Sequence, residues 1–224
     1  MKTQIKKIIT VIILCITSSV GFSQVVIQAD IAKDLGGGRI EYSVVTLKSG
    51  ALAPTTAIVD FFWFSSGDVS TITQWGKASD WTSSSLYSNK LGGLQMGDGY
   101  ASIGPAQGLF SGNVTTGALT GAVGNFFAAA VTSGTELGVF RATQIVPPNA
   151  VSPAPPAEVA FSLADVNSSG VMVGSFSILP TVTVLGDVPL TNIEGYGLVP
   201  EPSSASLLAL GVAGLVALRV RRKS

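Results

Sequence analysis

Four aspartates, Asp60, Asp68, Asp80 and Asp98, lie in one central stretch of the chain, and two facing carboxylates are the minimum equipment for hydrolysing a glycosidic bond. That chemistry depends on a separation set by the fold, and no motif selects a pair. Interleaved with them are Trp63, Trp75 and Trp81, beside Phe61, Phe62 and Phe64. Exposed indole rings can stack on sugar faces while carboxylates accept hydroxyl hydrogen bonds, so these three tryptophans are the candidate carbohydrate-binding residues. The competing reading is core. Strand alternation over Asp60 to Phe64 points Phe61 and Trp63 inward and leaves Phe62 and Phe64 needing cover from the other side, for which the segment Ser79 to Asn89 is available. Ser66, Ser79 and Ser88 near Lys77 and Lys90 lack a nucleophile context. Asp165-Val166-Asn167-Ser168-Ser169-Gly170 begins like a calcium loop, but Phe176 occupies the position that needs a bidentate carboxylate. Gly36-Gly37-Gly38 and Gly97-Asp98-Gly99 lack the strand and helix context of a nucleotide loop and are turns.

Composition narrows the chemistry further. The 224 residues include no histidine and one cysteine, Cys15, inside the N-terminal apolar run. His-dependent triads, His or Cys metal sites, thiol nucleophiles and disulfides are thereby excluded from the body, and neither metal nor cofactor is expected. The thirteen basic and thirteen acidic residues balance only in total. Lys2, Lys6 and Lys7 open the chain and Arg219, Arg221, Arg222 and Lys223 close it, so Gln24 to Pro200 carries a net charge of −6. Such a body has no basic stripe to neutralise phosphates, which argues against nucleic acid.

The elements that must position these residues read as strands. Short alternating segments separated by Gly, Ser, Asn, Asp or Pro predict strands over 25–31, 39–47, 57–64, 126–132, 137–143, 158–163, 171–178 and 192–198. Arg39 to Leu47 reads as a half-buried antiparallel strand with Ile40, Tyr42, Val44 and Thr46 on one face. Asp165 to Gly170 reads as a hairpin turn between the strands before and after it. Ser79 to Asn89 is the best helical candidate, a loop decoration with Asp80 at its start. Glycine-rich 108–124 is strand and turn. Five prolines between Pro147 and Pro156 make a long connection within one domain. The predicted fold is all-β: an antiparallel, jelly-roll-like β-sandwich over 24–198, flanked by an N-terminal signal helix and a C-terminal transmembrane helix.

Both ends read as addresses. Residues 1–23 run from Met1-Lys2-Thr3-Gln4-Ile5-Lys6-Lys7 into an apolar stretch and end in Gly21-Phe22-Ser23, the pattern of a secretory signal peptide cleaved before Gln24. Leu14 precedes Cys15 where a lipoprotein signal needs a small residue. At the other end, Pro200-Glu201-Pro202 forbids helix and exposes extended backbone. Residues 205–218 then form an apolar segment of about 21 Å as a helix, short against a hydrocarbon core of roughly 30 Å. Arg219, Arg221, Arg222 and Lys223 follow as the stop-transfer cluster that stays in the cytoplasm.

The Pro-Glu-Pro triplet, short apolar helix and terminal basic cluster, in that order over 199–224, resemble the PEP-CTERM sorting signal of Gram-negative bacteria. The resemblance implies an exosortase-type enzyme as processing partner and a membrane-anchored precursor. It also implies delivery to the cell surface or the extracellular polysaccharide matrix. It covers the tail alone and carries no catalytic residue into the body. The resulting expectation is an exported, noncatalytic surface or matrix protein with a structural or adhesive role. The alternatives are a carbohydrate-binding module for exopolysaccharide and, behind it, a carboxylate-dependent hydrolase.

Overall fold

Alternation along the apolar strands assigns the layers of the fold. The computed structural model describes residues 24–36, 39–100, 106–117, 119, 121–148, 157–184 and 188–199; the signal segment 1–23, most of the proline-rich connection and everything from Pro200 onward lie outside the described residues. The strands in chain order are β1 (Gln24–Asp30), β2 (Ala32–Gly36), β3 (Arg39–Thr46), β4 (Ile58–Phe64), β5 (Lys90–Gln95), β6 (Ser111–Gly117), β7 (Phe126–Ser133), β8 (Glu136–Ile145), β9 (Ala157–Ser162), β10 (Val171–Val173), β11 (Ser175–Val184) and β12 (Val188–Gly197). Two short helices, α1 (Val69–Ile72) and α2 (Ala78–Thr82), and a 3-10 turn over Ser85–Asn89 fill the connection between β4 and β5.

The strands form three sheets, ordered β6-β1-β9, β10-β8-β7-β4-β5 and β11-β12-β3-β2. β1 and β2 are separated only by Ile31, whose buried side chain marks the bend at which the chain leaves one sheet for another. Both smaller sheets bury their inner faces against one face of the five-stranded sheet. That main core takes Val25 and Ile27 from β1, Val44 and Val45 from β3, Val59 and Phe61 from β4, Phe127 and Val131 from β7, Phe140 from β8, Phe161 from β9 and Tyr196 from β12. The arrangement is sandwich-like, as expected.

Its details depart from a jelly roll in two respects. There are three sheets, where a jelly roll has two. The ladders β1–β9 and β3–β12 are also parallel. β3 is antiparallel to β2, as expected, and parallel to β12 on its other side; Ser43, Val44, Val45 and Thr46 are all buried there, so the half-buried reading is corrected for this part of the strand.

The predicted hairpin at Asp165 to Gly170 is also corrected. β9 joins β1, whereas β10 joins β8, so the connection crosses between sheets. The local chemistry was read correctly: Asn167 adopts φ 50° and its side chain accepts from Ser169 N at 2.9 Å. Leu163 and Val166, however, are buried in the main core, which makes this a packed crossover. The single strand expected over 171–178 is broken at Gly174, where φ is 126° and the chain passes from the five-stranded to the four-stranded sheet.

Ser79 to Asn89 is more than a decoration. α1, α2 and the 3-10 turn close the second face of the five-stranded sheet over a second core of Phe62, Phe64, Ile72, Trp81, Leu86, Ala128, Ala130, Leu137, Val139 and Val173. Phe62 and Phe64 thus receive the cover their alternation demands. Phe62 lies 4.5 Å from Trp81, ring centre to ring centre.

The corner at Gly174 gives a stability prediction. A Cβ there would stand 2.5 Å from Gly197 O, on backbone that side chains rarely adopt. Gly174→Ala is expected to destabilise the fold by ~1–3 kcal/mol, read as a lower denaturation midpoint with an unchanged slope.

Candidate functional site

The most constrained polar group among the described residues is Asp60, in the middle of β4. Alternation points it to the same face as Phe62 and Phe64, under the helical cap, where it is 4% exposed. A bare buried carboxylate would be costly, and here three neighbours adapt to it. Trp81 Nε1 donates to Asp60 Oδ2 at 3.0 Å, and Lys90 Nζ stands 2.7 Å from Oδ1. Opposite Asp60 in the register is Gly93, where a Cβ would meet Oδ1 at 2.7 Å, so the missing side chain is the room the carboxylate occupies. The Lys90 ammonium also lies 5.5 Å from the centre of the Tyr87 ring.

This is a clamp in geometry and charge. α2 supplies Trp81, the start of β5 supplies Lys90, and both converge on one strand of the sheet they cover. Burial pulls the Lys90 ammonium down, but the hydrogen bond and charge of Asp60, helped by Tyr87, outweigh it, and its pKa is raised. A lysine shifted upward holds its proton, the opposite of what a Ser-Lys dyad requires of its base.

The other candidate carboxylates are engaged in local backbone structure. Asp68 accepts from Ser65 N at 2.8 Å and Ser65 Oγ at 2.6 Å. Asp80 accepts from Gly76 N at 2.8 Å and Lys77 N at 3.2 Å, fixing the start of α2. Asp98 accepts from Gln95 N at 2.7 Å and closes the turn after β5.

The three tryptophans separate. Trp63 is half-buried against the main core, whereas Trp75 and Trp81 belong to the second core on the opposite face of the sheet. Trp81 is fully buried, with Trp75 5.9 Å away between ring centres. They do not make one planar row. Sequence reasoning listed Asp60 and Trp81 as candidates for chemistry but missed Lys90 as their partner; the signal available was the Gly92-Gly93 pair beside it.

The sorting residues Pro200, Glu201 and Pro202, the helix 205–218 and the cluster Arg219, Arg221, Arg222 and Lys223 lie outside the described residues. No helix among the described residues is long and apolar enough to cross a membrane. The described chain nevertheless runs up to the motif. Leu198 is 2% exposed in the main core and its N donates to Thr46 O at 2.8 Å. Val199 exchanges two backbone hydrogen bonds with Leu137, each 2.9 Å.

The family model of the PEP-CTERM protein-sorting motif matches residues 198–223, the tail that the sequence reading singled out. The match identifies a sorting motif in this tail, and the motif points to an exported protein recognised by an exosortase-type enzyme. No curated protein and no solved structure matches the chain.

Titration of the body follows from two raised pKa values. Tyr100, whose hydroxyl donates to Asp30 Oδ1 at 3.2 Å, is pushed up by burial and then by the Asp30 charge, and Lys90 is pushed up as above. The folded state therefore holds both protons more tightly than the unfolded chain. Their stabilisation is complete below about pH 10 and is lost as the pH climbs through the folded values. Unfolding free energy measured by denaturant titration is expected to fall above about pH 10, with Lys90→Met and Tyr100→Phe each flattening the decline. A decline identical in both variants would contradict the assignment.

Proposed function

We propose that the chain is an exported, noncatalytic protein of a Gram-negative bacterium. Its signal peptide 1–23 directs export, and the tail retains a membrane-anchored precursor. An exosortase-type enzyme processes that precursor and delivers the body to the cell surface or extracellular matrix for a structural or adhesive role. The observation that carries this reading is the sorting-motif match at 198–223, joined without a spacer to β12. It is supported by the engagement of Asp60, Asp68, Asp80 and Asp98 in clamp and turns, which leaves the hydrolase reading without a free carboxylate pair among these four. A carbohydrate-binding module built on Trp63, Trp75 and Trp81 would require rings on one surface, and these lie on two faces of a sheet.

The tail's parts are expected to fail differently. Replacing Pro200-Glu201-Pro202 by three alanines lets helix extend backwards through the motif and removes the extended backbone a transpeptidase-like enzyme would take. The protein should then stay membrane-bound at precursor mass. Neutralising Arg219, Arg221, Arg222 and Lys223 removes the charges that hold the tail inside, and unprocessed precursor should be released. Cell fractionation with intact-mass measurement reads both outcomes. Surface protein that still ends at Ser224, with the triple-alanine variant distributed identically, would make the tail a plain anchor.

A further inference from the structure

The outer face of the β6-β1-β9 sheet is lined by amides, hydroxyls and a carboxylate. Register places Asn113, Gln28 and Ala160 in one cross-strand row and Ser111, Asp30 and Ser162 in the next. The opposite face of the same strands is locked into the main core through Ile27, Ala29, Val114, Val159 and Phe161. The outer rows are thus a rigid platform. They line a hollow of about 470 Å³, within the roughly 300–1,000 Å³ range of small-ligand sites. A second hollow of about 300 Å³ shares Ala160 and Ser162 and continues around the β9 edge to Thr143, Gln144 and Asp165.

The chemistry of the lining is narrow. Exposed amides Gln28 and Asn113 each offer both donors and an acceptor, and the hydroxyls Ser111 and Thr143 do both as well. Ala160, the small member of the outer row, keeps the floor low beside Gln28. Asp30 is oriented by Ile31 N at 2.7 Å and by the Tyr100 hydroxyl at 3.2 Å, which fixes an acceptor at the end of the platform. Neither hollow is lined by a lysine or an arginine, and both contain a carboxylate. An anionic ligand would find no cationic side chain in either lining to pair with. The Phe161 ring is buried beneath the sheet, so no aromatic ring presents itself for stacking.

The geometry points to a binding groove for a neutral, polyhydroxylated polysaccharide along the outer face of the β6-β1-β9 sheet, with Gln28 and Asn113 as its principal hydrogen-bonding residues. Vicinal hydroxyls match paired amide donors and acceptors, and the two adjoining hollows suit an extended chain better than a monosaccharide. Without ring stacking or ion pairing, single-site affinity is weak, and retention at a surface comes from many copies engaging one polymer. The groove is independent of how the tail is processed, so it can fail while the sorting account stands, and the reverse.

The test uses the full chain in a sugar-free zwitterionic detergent, run by affinity electrophoresis through gels containing dextran, glucomannan or galactan as neutral polymers, or alginate as an anionic one. Retardation by at least one neutral polymer is expected, equal at low and high salt because no ion pair is made. Alginate should leave mobility unchanged. The double substitution Gln28→Ala with Asn113→Ala, both at exposed positions, should weaken retardation at least tenfold while leaving the thermal melt in place. No retardation by any neutral polymer would overturn the proposal. So would salt-sensitive retardation by alginate alone, or retardation that survives the double substitution.

Discussion

A carboxylate buried in the middle of a strand sets the terms for this fold. Asp60 cannot be left bare under the helical cap, because desolvating an ionised group without partners costs far more than any single apolar contact returns. Its two oxygens are taken by Trp81 and Lys90, one from each side of the connection between β4 and β5. That convergence decides where the cap lies. With Trp81 held over Phe62, the second core forms on the outer face of the five-stranded sheet, and the sheet becomes a layer buried on both sides. Gly93 follows from the same requirement, since any side chain there would displace the carboxylate. Apolar area supplies most of the stability of this layer, but it is non-directional; the clamp supplies the register.

The same frame explains what was legible in the sequence. Phe61-Phe62-Trp63-Phe64 could be read because period-two alternation is local, and it correctly demanded cover for Phe62 and Phe64 from Ser79 to Asn89. Asp60 could be seen only as a candidate acid, because its partners lie 21 and 30 positions away and nothing local announces them. β5 escaped notice because Lys90-Leu91-Gly92-Gly93-Leu94-Gln95 has poor strand propensity; its glycines serve close packing against Asp60 and Val114. The turn chemistry of Asp165 to Gly170 was readable, but a turn does not state which strands it joins. Parallel pairing of β1 with β9 and β3 with β12 is non-local in the same way. The sorting tail was the clearest feature because its signal is linear: rigid prolines, an apolar run and a charge cluster need no tertiary contacts to be recognised.

Body and sorting motif overlap in sequence: Leu198 and Val199, the first residues of the matched tail, are packed and paired in the body through Thr46 and Leu137. The outer face of the β6-β1-β9 sheet, lined by amides and hydroxyls over an apolar backing, is the surface on which the proposed groove lies.

The claim on which this account of the fold rests is that Asp60 and Trp81 act as a unit. A double-mutant cycle of Asp60→Ala and Trp81→Phe, followed by denaturant unfolding, measures that directly, since the phenylalanine keeps most of the ring while removing the donor. The account predicts a coupling energy of ~1.5–3 kcal/mol, the range for a hydrogen bond to a charged group. Additivity of the two substitutions within about 0.5 kcal/mol would contradict it and reduce the cap to apolar packing alone.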